Sequence, residues 1–280
     1  MLGTREQAED AVHDTYLKWH EADANAIRSI EAWLVTLVTR LCIDRLRALK
    51  IERQTYFGPW LPEPLLEADM ATPEWKVELA DDISIAFLRV LERLSPDERA
   101  TFLLREVFDF EYAEIAAALG RREGACRQIL SRAKERLREE RPRFQVSKAA
   151  HVRLLQRFVE ATTSGNRDNL ATLFTEDAVL VADGGGQAAV VFKPLQGAGR
   201  LARLFAAIAG QVSRHNVSLT YAPAQINGEP GLLRLLDGRM HSALAFECDG
   251  ERISAVYIFA NPDKLRNIGT PVTSGQPHSS

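Results

Sequence analysis

The sequence predicts two all-helical domains followed by an α+β domain. Through most of residues 1–143 the apolar side chains recur at spacings of three and four, which is the spacing of one helix face. After residue 146, the chain contains two helical segments with a strand-like run between them. Short runs rich in Val, Leu, Ile and Tyr follow the second helical segment. Helices followed by several antiparallel strands are typical of an α+β domain.

The composition excludes several classes of protein. The chain has 280 residues, of which 46% are hydrophobic and 26% charged, so it can form several small folded domains. No apolar run approaches the roughly 18 residues that span a bilayer, and the first ten residues lack the apolar core of a signal peptide. The three cysteines lie too far apart to suggest a disulfide framework or a metal site. We therefore expect a cytoplasmic protein with reduced thiols and neither metal nor cofactor.

Residues 1–55 are expected to form a helical hairpin that ends in a basic surface. Ala8, Val12, Tyr16 and Trp19 form one apolar stripe on the first helix, and Ser29 is a plausible N-cap for the second. The side chains expected to pack inward on the second helix are Ile30, Trp33, Leu34, Leu37, Val38, Leu41 and Leu46.

Residues 56–82 are predicted to be a linker, because four prolines between Pro59 and Pro73 prevent a continuous helix. Its residues 60–82 carry seven acidic side chains and one basic one. Trp60 and its leucine neighbours give this segment more apolar surface than a solvated linker needs. Two interpretations stay open, a tryptophan folded onto the nearest domain and a segment that docks between domains.

Residues 83–143 are predicted to contain a helix-turn-helix. Ser95 and Pro96 mark a helix start, and Gly120 separates two short helices by about three residues. The outer face of the second helix is basic and polar, which suits contacts with base edges and phosphates. A solvated charged helix is the alternative, and the helix-turn-helix spacing favours DNA binding. The outer-face residues are Arg127, Gln128, Ser131, Arg132 and Lys134.

Residues 146–268 are predicted to be the α+β domain, and residues 269–280 a disordered tail rich in Gly, Pro, Ser and Thr. Asp177, Asp183, His215 and His241 are conceivable acid–base groups, but the sequence does not bring any two of them together. Three roles stay open for this domain, namely catalysis, sensing of a small ligand, and docking onto other parts of the chain. We favour docking, because Trp60 and its prolines form a stiff aromatic partner.

Two stretches of the chain resemble a known family. The segment EDAVHDTYLKWH followed by EAWLVTLVTRLCIDRLR resembles region 2 of extracytoplasmic-function (ECF) sigma factors of bacterial RNA polymerase. The segment from LERLSPDERATF to ILSRAKERL resembles region 4 of the same family. Three further motifs are similar to those of the SigJ-like subgroup, which carries a C-terminal SnoaL-like domain. They are Trp60-Leu61-Pro62-Glu63-Pro64, Asp183-Gly184-Gly185-Gly186 and Asn261-Pro262-Asp263-Lys264-Leu265.

The resemblance implies two sigma domains, with an N-terminally incomplete region 2, and a third domain with the cone-shaped NTF2/SnoaL-like fold. It implies no enzymatic activity. It implies two partners, core RNA polymerase, bound through its β′ clamp and β flap, and promoter DNA. A small ligand bound by the third domain is a further candidate partner. The third domain would act through the three motifs as a fused regulator in place of a separate anti-sigma protein.

Residue roles follow from the resemblance together with the charge pattern. Polymerase would be bound by Glu9, Asp10 and Asp14, and the −10 element by Arg40, Arg45 and Arg47. For the −35 element, the base-contacting candidates are Arg127, Gln128, Ser131 and Arg132, and the phosphate-contacting candidates are Arg121, Arg122 and Lys134. Arg122 stands where the family commonly has a Ser or Thr N-cap, so the start of this helix is expected to fray. The alternatives are a ligand-sensing helix-turn-helix regulator and a SnoaL-like enzyme with a DNA-binding appendage.

Overall fold

The computed structural model describes residues 1–23, 27–53, 55–66, 84–138 and 146–266. The chain divides into two compact units. The first comprises Met1–Tyr56, Leu61–Glu63 and Ala86–Pro142, and the second comprises Phe57–Trp60, Pro64–Ile85 and Arg143–Ser280. The second half of the expected linker, residues 67–82, and the expected disordered tail, residues 269–280, lie outside the described residues.

The first unit is helical, and its helix starts follow the predicted capping signals. The Ser29 hydroxyl accepts the N–H of Ala32, while Ser95 and Glu98 form a capping box ahead of Pro96. A π-helical turn, Leu103–Val107, continues the fourth helix. The helices are α1 Arg5–Glu21, α2 Ile30–Glu52, α3 Ile85–Arg93, α4 Pro96–Phe102, α5 Tyr112–Leu119 and α6 Glu123–Arg138.

The apolar stripe proposed for α1 is not its buried face. Ala11 and Thr15 are buried instead, whereas Val12 is 65% exposed and Tyr16 53% exposed. Small side chains allow α1 to approach α2 closely, and the spacing of large apolar residues does not reveal that face. Ile30 was expected to pack inward and is also exposed, since it is the first residue of its helix.

Two small apolar clusters hold the five helices α2, α3, α4, α5 and α6 together. One joins α3, α4 and α6 around Val90, Phe102 and Leu130. The other places Ile115 of α5 against Cys126 of α6, with Val35 of α2 packed at its side. Val107 is exposed, because the π-helical turn rotates its side chain away from the α-helical repeat.

The second unit is an α+β domain built on one six-stranded sheet of order β2-β1-β6-β5-β4-β3. Its pairs are antiparallel except β1 with β6, which is parallel and corrects the expectation of antiparallel strands only. The run after Gly184, Gly185 and Gly186 is rich in apolar residues, but only its end forms a short strand. The strands are β1 Phe174–Asp183, β2 Leu195–Gln196, β3 Leu219–Ile226, β4 Glu229–Leu236, β5 Arg239–Cys248 and β6 Ile253–Phe259.

Helices of this unit cover one face of the sheet. The helices are α7 Lys148–Thr163, α8 Arg167–Thr172, α9 Ala198–Arg214 and α10 Pro262–Leu265. The fully buried Phe158 of α7 lies at the centre of the core, edge-on to Phe205 of α9 at 5.0 Å and to Phe246 of β5 at 5.2 Å between ring centroids. This is the α+β arrangement that the resemblance to SnoaL-like domains implies.

Candidate promoter-contacting surfaces and linker-docking site

The predicted helix-turn-helix is formed by α5 and α6. Gly120 ends α5 in the left-handed conformation, with φ of +63°, and its N–H bonds to carbonyls of the last turn of the helix. Only Gly120 to Arg122 separate the two helices. The buried face of α6 is formed by Cys126, Leu130, Ala133 and Leu137. Burial of this stripe leaves the opposite face of α6 exposed.

The predicted −35 residues fall into two groups according to their contacts. Arg127 pairs with Glu123 at 3.0 Å and lies over the Tyr112 ring, and Lys134 pairs with Glu106 at 2.7 Å. Arg121 is in an ion pair with Asp97. In contrast, four exposed residues have no polar side-chain contact with any other described residue. These are Arg122, Gln128, Ser131 and Arg132.

The predicted −10 residues form hydrogen bonds and ion pairs with other residues of the first unit. Arg40 donates hydrogen bonds to the Ala118 and Ala117 carbonyls at the end of α5, at 3.0 and 3.3 Å. Arg47 bonds to Asp97 at 3.2 Å, the carboxylate that Arg121 also contacts. One aspartate at the start of α4 therefore joins a predicted −10 residue to a predicted −35 residue.

Sequence reasoning missed Asp97 because it stands in the first turn of a helix, where an acidic residue is explained by the helix dipole alone. It also missed Arg40 as a helix-capping residue. Capping of α5 by Arg40 depends on a contact between residues 78 positions apart, which no local pattern reveals.

The acidic residues predicted to bind polymerase lie on α1. Asp10 is in an ion pair with Arg45, and Glu9 pairs with Arg5 at 2.8 Å within the helix. Asp14 is half-buried. The same helix exposes large apolar side chains next to these acids, which gives α1 a mixed apolar and acidic outer surface. The exposed apolar residues are Val12, Tyr16, Leu17 and Trp19.

One residue from each of the three SigJ-like motifs takes part in a shared contact in the second unit. These residues are Trp60, Asp183 and Lys264. The Lys264 ammonium, in the Asn261–Leu265 segment, lies 4.1 Å from the centroid of the Trp60 ring. Lys264 is 5% exposed and also contacts the fully buried Asp183 carboxylate at 2.6 Å. A buried ion pair thus supports the ring of the linker tryptophan.

The Asp183–Gly186 motif positions the carboxylate that pairs with Lys264. Asp183 ends β1, and its second carboxylate oxygen accepts the N–H of Gly185 at 3.1 Å. Gly185 has φ of +61°, and a side chain there would come within 2.5 Å of the Asn261 amide. Asn261 in turn caps α10 by accepting the N–H of Asp263 at 3.0 Å. Only glycine therefore allows the two motifs to lie this close.

Further linker contacts with the second unit were not predicted. Phe57 packs edge-on against Phe192 with ring centroids 4.8 Å apart and lies against Gly186. Leu65 exchanges hydrogen bonds with Asn227, its carbonyl accepting the backbone N–H at 2.7 Å. Asn227 has φ of +53°, a turn conformation that asparagine tolerates, and the Asn-Gly dipeptide at 227–228 was the available turn signal.

The middle of the Trp60–Pro64 motif, Leu61–Glu63, belongs to the first unit and is held there by hydrogen bonds to the backbone of the N-terminal segment. The Glu63 N–H bonds to the Gly3 carbonyl at 2.8 Å, and the Arg5 N–H bonds to the Glu63 carboxylate at 2.7 Å. Leu61 is completely buried. These contacts fix Leu61–Glu63 at the start of α1.

The conceivable acid–base residues have separate contacts in the described part of the chain, where His241 bonds to Arg234. Asp183 is bound by Lys264, and Asp177 and His215 make no side-chain contact with each other among the described residues. The described part of the chain contains no cluster of three or more His, Cys, Asp or Glu side chains suited to a metal ion. Within those same ranges no helix has the length and apolarity needed to cross a membrane.

Comparison with known proteins agrees with this architecture. A family model for sigma-70 region 2 matches residues 1–51, and a model for sigma-70 region 4 matches residues 84–137. The chain is 34% identical to the ECF RNA polymerase sigma factor SigJ of Mycobacterium tuberculosis, over 97% of this chain and 89% of that protein. It is 27% identical to the probable ECF sigma factor SigI of the same species, over 98% and 92% of the two chains.

A solved structure shows the same architecture. The crystal structure of M. tuberculosis SigJ superposes with a TM-score of 0.71 at 31% identity, covering 96% of this chain and 92% of that one. Two helical sigma domains and a fused sheet domain define a multidomain sigma factor. More specifically, the chain belongs to the family of ECF RNA polymerase sigma factors. It is a promoter-directing factor of RNA polymerase and not an enzyme.

Proposed function

We propose that this sigma factor recognises the −35 element with the exposed face of α6 and the −10 element with the basic end of α2. The observation that carries the first assignment is the group of four uncontacted side chains, Arg122, Gln128, Ser131 and Arg132, on or next to the second helix of a helix-turn-helix. Such a helix enters the major groove, where arginine and glutamine form bidentate contacts with bases. The functional domains are then residues 1–55, 83–143 and 146–268.

Gln128 and Arg132 are the first base-contacting candidates, because no intramolecular bond must break before they reach DNA. Arg127 gives up its pair with Glu123 on binding, and it remains a base-contacting candidate with Ser131. Arg121, Arg122 and Lys134 are assigned to phosphates.

We expect Gln128→Ala to relax specificity at one position of the −35 element, at a cost of about 1–3 kcal/mol on the preferred sequence. Arg122→Ala should weaken binding to all sequences alike and reduce the slope of affinity against salt concentration by about one. Titration of labelled −35 variants with each protein measures both effects. Equal losses on every sequence for both variants would remove the base-contacting assignment.

Glu9, Asp10 and Asp14 on α1 are proposed to bind core RNA polymerase, with the exposed apolar side chains beside them adding contact area. A polar rim around an apolar centre is typical of protein interfaces. The β′ clamp is the proposed site for this surface and the β flap for region 4. Since the polymerase works in the cytoplasm, we place this protein there as well.

The described form of the first unit is proposed to be a closed form. The −10 and −35 elements are about 25 base pairs apart, or roughly 85 Å at 3.4 Å per base pair. Here Arg47 and Arg121 share one carboxylate, and Arg40 caps α5. Surfaces this close together cannot contact both elements at once, so promoter binding requires α2 to separate from α4 and α5.

Asp97→Asn should favour opening, because it weakens the bonds to Arg47 and Arg121 together. Each exposed ion pair is worth roughly 0.2–1 kcal/mol, so the loss of two pairs should raise promoter affinity by about two- to thirtyfold. Asp44→Asn is the matched control, since Asp44 pairs with Arg47 within one helix and does not link α2 to α4. Promoter binding by the two variants, measured side by side, tests the closed form, and equal affinities would contradict it.

The second unit is proposed to regulate the sigma domains by holding the linker. The contact of Trp60 with Lys264 and of Phe57 with Phe192 supports this role, since both anchor the chain between regions 2 and 4. Docking of the linker would restrain opening, which is the task of a separate anti-sigma protein elsewhere. A small ligand bound by this unit is proposed as the signal that alters the restraint.

A further inference from the structure

The sheet of the second unit buries a cation that has no counter-ion among the described residues. Arg234 of β4 is only 6% exposed. Its single hydrogen bond among the described residues runs from Nη2 to Nδ1 of His241, at 3.1 Å, and its Nε has no partner. Burying a guanidinium without an anion is costly, so such a group is usually paired. The missing partner is therefore an anion.

Two hydroxyls lie on the same face of the sheet as this guanidinium. Tyr221 of β3 and Ser242 of β5 are the register partners of Arg234 on the two neighbouring strands. Opposite residues in a sheet point to the same side, so the three side chains form a row. Neither the Tyr221 hydroxyl nor the fully buried Ser242 hydroxyl has a hydrogen-bond partner in the described structure. The row thus offers three sets of unused donors.

The titration behaviour of the row agrees with a site for an anion. Burial lowers the pKa of Arg234, and it also lowers the pKa of His241, with the arginine charge acting in the same direction. The neutral imidazole of His241 can accept the arginine hydrogen bond at Nδ1. Burial raises the pKa of Tyr221, and the nearby Arg234 guanidinium acts in the opposite direction through its charge. The row thus combines a guanidinium with hydroxyls that can donate to an anion.

An apolar groove leads to this row. It has a volume of about 620 Å³ and lies between α7 and the face formed by β3 and β4. Leu155 and Val159 line it from the helix, and Leu232 and Tyr221 line it from the sheet. Arg234 follows Leu232 by two residues on β4 and so points to the same side. Tyr221 belongs both to the groove lining and to the row, so an apolar body in the groove would reach the row at Tyr221, the register partner of Arg234.

We propose that this groove and the Arg234 row bind an apolar carboxylic acid, with its carboxylate on Arg234, Tyr221 and Ser242. A carboxylate fits the planar guanidinium in a bidentate pair, and the two hydroxyls complete its hydrogen bonds. This proposal deepens the one above, because it names the chemical class of the ligand that would act on the second unit.

Decanoate and decanol are the test ligands, since they share one chain and differ in the charged group. In calorimetric titration of the full chain, decanoate should bind about tenfold more tightly than decanol or better. Arg234→Met should bring the two affinities within roughly twofold of each other, because the charge-assisted bond is lost while the apolar volume is kept. Arg153→Met, which changes an exposed arginine of α7, should keep the preference.

Equal affinity of the wild-type chain for decanoate and decanol would overturn the proposal, and so would an Arg234→Met variant that keeps the preference. Absence of binding across carboxylates from hexanoate to tetradecanoate would do the same. If Arg234→Met does not fold, the Tyr221→Phe, Ser242→Ala double variant replaces it, and it should lose most of the preference. The readout is binding alone, so its failure leaves linker docking and its transcription test untouched.

Discussion

Charge reversal at Arg45 and Arg47 is expected to abolish open-complex formation. Both residues flank the buried Leu46 at the end of the buried part of α2, which positions them as a rigid basic surface for melted DNA. Losing two charge-assisted contacts and adding two repulsive charges should reduce promoter melting by at least about 100-fold. Permanganate reactivity of the −10 thymines, measured with core RNA polymerase, reports this melting directly.

Lys50→Glu is the matched control for this prediction, because it reverses an exposed charge on the same helix at a position without a proposed role. It should melt the promoter almost as well as the wild type. The three pairs that the reversal disrupts, with Asp10, Asp44 and Asp97, are all partly exposed, so the double variant should still fold. Normal melting by a folded double variant would reject the −10 assignment.

Trp60→Leu is expected to raise transcription from the target promoter. The substitution removes the contact with Lys264 and leaves the buried pair of Lys264 with Asp183 intact. A desolvated cation–π contact is worth about 2 kcal/mol, so the shift toward the open form should reach at most roughly 30-fold. Run-off transcription with core polymerase measures the change.

Lys264→Met tests the same site from the other side but has a cost in stability. It removes the ammonium that is paired with the fully buried Asp183 carboxylate, which should destabilise the second unit by about 3–5 kcal/mol, while Lys193→Met at an exposed lysine should have little effect. Adding Asp183→Asn should recover part of this loss.

Unchanged or lower transcription by a stable Trp60→Leu variant would contradict a restraining role for linker docking.

Local signals in the sequence predicted much of this architecture. Ser29, Ser95 and Gly120 mark helix ends that the structure has, and the basic outer face of α6 is exposed as expected. Trp60 and the Asn261–Leu265 segment were singled out as short motifs without an independent local explanation, and the structure brings the Trp60 ring against Lys264 of that segment. In each case the information lies in one residue type with a strong conformational or chemical preference.

What the sequence did not predict depends on contacts between distant residues. Arg234 stands in an apolar strand pattern where a single arginine is usually taken as solvent-facing, and only strand pairing places it beside Tyr221. Asp97 and Arg40 have ordinary local explanations, and their role in closing the first unit appears only when α2 lies against α4 and α5. The parallel pairing of β1 with β6 likewise follows from the crossover connection and not from either strand alone.

The most direct test of the account is the distance between α2 and α6 during promoter binding. Fluorescent probes at Ile51 and Glu135, both exposed positions, report it by energy transfer. Transfer should be high in the free protein and should fall to that of a separation of roughly 85 Å once core polymerase and promoter DNA are bound. Transfer that stays high in a complex actively making transcript would contradict the closed form and its opening.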